Sequence, residues 1–97
     1  MMRMLWIVYA GPSPGRVEEA LQTLGAPGWT RLGAAHGAGT HGRVEGTRAW
    51  PGEETVFISV MSGTTAARVA DGIGDVQAGL VPGERLHLAV LPVERFQ

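Results

Sequence analysis

His36 and His41 lie five residues apart in a stretch that glycine interrupts at 37, 39, 42 and 46, with Glu45 and Glu53 near them. Imidazole and carboxylate together suit zinc, copper or nickel. No tight ligand spacing is present, however, and a glycine-rich loop sends its side chains in many directions. Solvated loop histidines and no metal site are the expectation. The same stretch reads Gly37-Ala38-Gly39-Thr40-His41-Gly42 and matches G-x-G-x-x-G. That pattern holds a dinucleotide only where it opens a helix inside a parallel βαβ unit. Arg43 to Pro51 carries two β-branched residues, a glycine and a proline, and no helical stripe. What survives is local: glycines let backbone N–H groups approach an anion without side-chain obstruction.

Other chemistry is less well supported. Ser59 and Ser62 have no histidine at informative spacing, and there is no Gly-x-Ser-x-Gly. Gly11 to Arg16 (GPSPGR) has the glycines and arginine of an anion loop, but Pro12 and Pro14 remove two N–H donors. His87, in an apolar run, reads as a hydrogen-bonded sheet residue. Trp6, Trp29 and Trp50 are not interleaved with basic residues as a stacking platform requires. A net charge of −1 gives nucleic acid no electrostatic support. The carboxylates show no pairing for acid–base work, so no catalytic residue is assigned and the chain is not read as an enzyme.

The elements that must position these residues follow from hydropathy. The composition, 44% hydrophobic and 18% charged, is that of a globular protein, and residues 1–97 are expected to form one domain. No cysteine is present, which excludes a disulfide framework and fits a reducing cytoplasm. Leu5 to Ala10 is far shorter than the roughly 20 apolar residues of a membrane helix. It reads as a buried strand, with no membrane insertion.

The first strand spans Arg3 to Tyr9, apolar on both faces. Ser13-Pro14 is a helix start with a hydroxyl cap, and Val17, Ala20, Leu21 and Leu24 form one helical stripe. Glu18 and Glu19 are expected to favour the helix dipole, with Gly25 stopping the helix. Trp29 to Ala35 is a second strand. A polar loop of about 18 residues follows, a length that is usually functional or disordered. It is closed by Trp50-Pro51-Gly52, and residues 36–48 are expected to open at low cost. Thr55 to Met61 is the third strand, Ser62-Gly63-Thr64 a turn and cap, and a second helix extends to about Leu80. Arg85 to Leu91 is the fourth strand, ended by Pro92.

The order βαββαβ implies an α+β, ferredoxin-like sandwich: a four-stranded antiparallel sheet with two helices on one face. The uncovered face is expected to show an apolar set such as Leu5, Ile7, Tyr9, Phe57, Met61, Ala89 and Leu91. That patch is too large for a monomer, so association through the open face is expected.

The βαββαβ order, the large loop and the turn Pro82-Gly83-Glu84-Arg85 resemble the PII superfamily of trimeric nitrogen-regulatory signalling proteins. The small PII-like branch is the nearer likeness. It is carried by the strand Leu5-Trp6-Ile7-Val8-Tyr9, by Gly46-Thr47-Arg48-Ala49-Trp50-Pro51-Gly52, and by the strand running from Leu88 to Glu94. The resemblance implies a homotrimer that binds a small anionic ligand, an adenine nucleotide in the family, between neighbouring subunits. Gly37 and Gly39 match its glycine-rich segment, with Thr40 where an arginine follows. Gly83 and Arg85 match its phosphate-binding turn, with arginine in place of lysine. The loop lacks the uridylylated tyrosine, and Val44 and Arg48 stand where the small relatives place histidines. The 36–54 loop would be the effector element toward a regulated target protein. Two alternatives share the architecture: a divalent-metal-binding trimer of the CutA type, which would use His36 or His41, and a small ferredoxin-like enzyme.

Overall fold

The structure, a computed structural model, describes residues 1–35, 38–39, 42–43 and 54–97. Its central strand, β1 (Met2–Ala10), is built from the apolar run near the start of the chain. Helix α1 (Pro14–Thr23) follows, then β2 (Thr30–Ala35), the short strands β3 (Ala38–Gly39) and β4 (Gly42–Arg43), β5 (Glu54–Ser62), helix α2 (Gly63–Ala78) and β6 (Arg85–Val93). The main sheet has the order β2-β5-β1-β6, with every neighbouring pair antiparallel. This is the expected ferredoxin-like α+β sandwich. β3 and β4 pair separately, with Gly39 opposite Gly42, so the described part of the 36–54 stretch holds a short ladder where only loop was expected.

Both helices pack on one face. Leu5, Ile7 and Tyr9 of β1, Phe57 and Met61 of β5 and Leu86 of β6 meet Val17 and Leu21 of α1 and Ala66, Val69 and Ile73 of α2 in one buried cluster. This corrects the expected exposure of Leu5, Ile7, Tyr9, Phe57 and Met61. The open face carries Met4, Trp6, Val8, Ile58 and Val60 instead. Ala89 and Leu91 do belong there, opposite Trp6 and Met4. The physical reason is that β1 and β5 are apolar on both faces, so alternation cannot say which face the helices cover. The handedness of the two strand–helix–strand crossovers decides it.

Local differences have similar causes. Ser13 does not cap α1 with its hydroxyl; its backbone N–H donates to the Tyr9 Oη at 3.1 Å. Glu18 lies beyond the first turn and accepts from Trp29 Nε1 and Arg31, each at 2.9 Å, so it serves a tertiary staple rather than the helix dipole. Gly25, at φ +84°, ends the helix as expected. Ser62 does cap α2, accepting from the Thr65 N–H at 3.2 Å. That helix stops at Ala78, short of Leu80. A side chain at Gly72 would run into Leu24, so glycine there lets α1 and α2 approach closely. Pro92 does not end β6, because β6 is an edge strand and can spare an N–H donor.

Candidate functional site

One end of the sheet gathers the segments that carry the polar chemistry. Ala35, Glu54, Ala10 and Arg85 sit opposite one another in a single row across all four strands. The 36–53 segment therefore leaves from, and returns to, the same row that Arg85 opens on the outer strand. Beyond this row lie the Gly11–Ser13 connection to α1 and the Val81–Glu84 turn into β6.

The turn is built around Glu84. Its backbone N–H donates to the Val81 carbonyl at 3.1 Å, and its own Oε1 accepts from the Val81 N–H at 2.9 Å. Between them Gly83 adopts φ +94°, a left-handed conformation that favours glycine. The Glu84 Oε2 accepts from the Tyr9 hydroxyl and from the Arg16 guanidinium, the latter at 2.9 Å. The carboxylate side chain is 2% exposed, although its arginine partner is 43% exposed. A buried carboxylate needs such donors to stay ionised. Donation from Tyr9, then the Val81 N–H, hold the Glu84 carboxyl below its usual range despite burial. Burial first, and then the bond to Glu84, push the Tyr9 phenol above 10. The proton therefore rests on Tyr9 and the charge on Glu84. Gly11 closes over this pair: a Cβ there would meet the Tyr9 ring at 2.8 Å from Cζ.

Of the residues singled out in the sequence, Gly83 and Arg85 sit together in and just after this turn. Arg85 is half-buried and, among the described residues, has no ion pair or side-chain hydrogen bond. Glu84, its neighbour in the chain, is committed to Tyr9, Arg16 and Val81. Gly39 sits in the β3–β4 ladder, which among the described residues shares no pairing with the main sheet. Gly37, His36, His41, Glu45, Glu53 and the Gly46–Gly52 segment lie outside the described residues, as does the expected opening of 36–48. His87 is exposed on β6, opposite Val8. Among the described residues no group of three His, Asp or Glu is placed to hold a metal ion. Likewise no helix among them is long and apolar enough to cross a membrane.

Sequence reasoning missed Tyr9, Arg16 and Glu84 as a unit. One signal was available: the only tyrosine ends an otherwise apolar buried strand, and a buried phenol needs a hydrogen-bond partner. At the opposite end of the open face, Met2, Met4, Trp29, Ile58, Val60 and Phe96 border an apolar groove of about 890 Å³.

No family model matches the chain, and no curated protein matches it in sequence. Solved structures share its fold. CPII from Thiomonas intermedia, a nitrogen regulatory PII-like protein solved with ADP and bicarbonate, superposes with a TM-score of 0.68 at 19% identity, covering 97% of this chain and 89% of that one. A PII-like signalling protein from Thermus thermophilus gives 0.61 at 21% identity, with 92% and 82% covered. A DUF3240 family protein from Shewanella baltica gives 0.71 at 12% identity, with 98% and 93% covered.

Proposed function

From the PII-like fold that this chain shares with those structures, we propose a non-enzymatic regulatory protein, residues 1–97 acting as one domain, that binds a small anionic ligand of the adenine-nucleotide class. The chain assembles as a homotrimer in the cytoplasm. Its ligand sits between subunits, held by the backbone of Gly37 and Gly39 from one copy and by Gly83 and Arg85 from a neighbour. The 36–54 segment reports occupancy to a target protein. One observation carries this reading. Arg85, without an ionic partner among the described residues, opens β6 on the row from which the 36–53 segment departs. A guanidinium presents a forked donor set that matches phosphate or carboxylate.

The open face supports the assembly. Trp6, Leu32 and Leu91 are 41%, 48% and 42% exposed on a face that also carries Met4, Val8, Ile58 and Val60. Contiguous apolar surface of that kind marks association. Light scattering is expected to return three times the 10.2 kDa of one chain.

Calorimetric titration with ADP and with bicarbonate tests the ligand class. The parent should bind at least one of them. Arg85→Ala should lose about 1.5–3 kcal/mol of that binding, roughly ten- to a hundred-fold, with assembly and melting temperature nearly unchanged. If the parent binds neither probe, or the variant binds as well as the parent, the assignment fails.

A further inference from the structure

We infer that Glu84 is the positioning residue of the anion site, setting the turn that carries Gly83 and Arg85; this rests on the function proposed above. Glu84 lies directly between those two residues, yet its carboxylate is engaged by the protein itself. It is buried and spends its acceptors on three separate segments: the Val81 N–H at the start of the turn, the Tyr9 hydroxyl at the end of β1, and the Arg16 guanidinium in the first turn of α1. No other hydrogen bond or ion pair among the described residues ties the turn to both the central strand and a helix.

The geometry explains why a carboxylate stands there. Pro82 and Gly83, the latter in the left-handed region, favour the bend of the turn itself, but they do not fix where the turn sits on the end of the sheet. Arg85 carries a long side chain whose direction depends on where its Cα enters the sheet. A small displacement of the turn would move a guanidinium fork out of register with an anion, because bidentate recognition tolerates little misplacement. By taking up Arg16 as well, Glu84 leaves Arg85 as the cation of the turn without a carboxylate partner among the described residues. Glutamine in place of Glu84 would keep an amide oxygen for the Tyr9 hydroxyl or the Val81 N–H, and would lose the ion pair with Arg16. Alanine would lose every tether.

The test uses the full chain and ADP or bicarbonate, whichever the parent binds. Each titration runs at a temperature where circular dichroism shows the variant folded. Glu84→Ala should weaken binding tenfold or more. Glu84→Gln should recover part of that loss, staying within about fivefold of the parent, a rescue that general destabilisation would not produce. Amide exchange gives a second measure: the residue-84 N–H, bonded to the Val81 carbonyl, should lose most of its protection in Glu84→Ala and distinctly less in Glu84→Gln. Should Glu84→Ala not fold, Arg16→Met cuts one tether at an exposed side chain. It should weaken the probe two- to fivefold while raising exchange at the same amide. If folded Glu84→Ala, or Arg16→Met in its place, binds like a parent that does bind, the inference is overturned and the proposed function stands. If the parent binds neither probe, the proposed function falls, and the inference with it.

Discussion

Two carboxylates in this fold solve the same problem with different results. Glu84 accepts from an aromatic hydroxyl and an arginine; Glu18 accepts from an aromatic ring N–H and an arginine. The arginines are almost equally exposed, at 43% and 41%, and both arginine distances are 2.9 Å. The carboxylates differ: Glu84 is 2% exposed and Glu18 35%. Water reaches Glu18 and can replace either donor, so its staple of α1 to β2 resembles an ordinary surface ion pair of small worth. Water barely reaches Glu84, so a donor it lost would not be replaced and its charge would rest on the partners that remain. An aromatic donor with an arginine therefore means adhesion at one place and, with the added Val81 N–H, architecture at the other.

The largest expected effect tests that contrast directly. Glu84→Ala should lower unfolding free energy by about 1–3 kcal/mol, because it takes the acceptor from the buried Tyr9 hydroxyl and removes the ion pair, while the exposed Val81 N–H can turn to water. Glu18→Ala should cost distinctly less in the same urea titration. Equal losses would break the comparison and show that burial of the carboxylate does not govern its value.

A smaller effect lies in the pH dependence. The Glu84 carboxyl is held below its usual range, by Tyr9 first and the Val81 N–H second; that of Glu18 is lowered by Trp29 first and Arg31 second. A carboxyl whose folded pKa is depressed contributes stability above its unfolded value, near 4.3, and loses it as pH falls through the folded one. Both glutamates thus steepen acid denaturation. Only the Glu84 site has a second limb: the Tyr9 phenol is raised above 10, so its contribution is complete below about 10 and disappears as pH rises further. Unfolding midpoints of Tyr9→Phe and the parent should converge on the alkaline side. An unchanged alkaline limb in Tyr9→Phe would remove the phenol from the account.

The comparison also marks what could be read from the sequence. Strand order and helix placement followed from alternation in Thr55–Met61 and from the Val17, Ala20, Leu21, Leu24 stripe, since periodicity is local information. Which face of β1 is covered was not legible, because Leu5, Ile7 and Tyr9 are no more apolar than Met4, Trp6 and Val8. Ser13 was read as a cap because its type favours one; its backbone N–H serves the Tyr9 hydroxyl instead. Gly83 and Arg85 could be singled out from the resemblance. Glu84 between them could not, because its partners Tyr9 and Arg16 are remote in sequence and meet it only once β1, α1 and β6 are assembled. Helix-dipole reasoning about Glu18 failed for the same reason: Trp29 and Arg31 reach it across the tertiary structure.

The smallest effect isolates one donor at the buried carboxylate. Tyr9→Phe removes a hydroxyl and keeps the ring in the buried cluster that it shares with Ile7, Val17 and Leu86. Glu84 retains Arg16 and the Val81 N–H, so its charge stays compensated. The Ser13 N–H loses its acceptor, but the connection beside it is exposed and water can take the place of the phenol. The net cost should be near that of one hydrogen bond to a charged group, offset by a phenylalanine that no longer has to bury a hydroxyl: about 1 kcal/mol by urea denaturation. The hydroxyl is the nearest of the atoms a side chain at Gly11 would meet in the parent, ahead of the ring Cζ and the Glu84 Cγ. Gly11→Ala alone should therefore destabilise more than Gly11→Ala placed on Tyr9→Phe, a positive coupling in the double-mutant cycle. Strict additivity would mean that Gly11 is required for its backbone conformation and that the contact with Tyr9 is incidental.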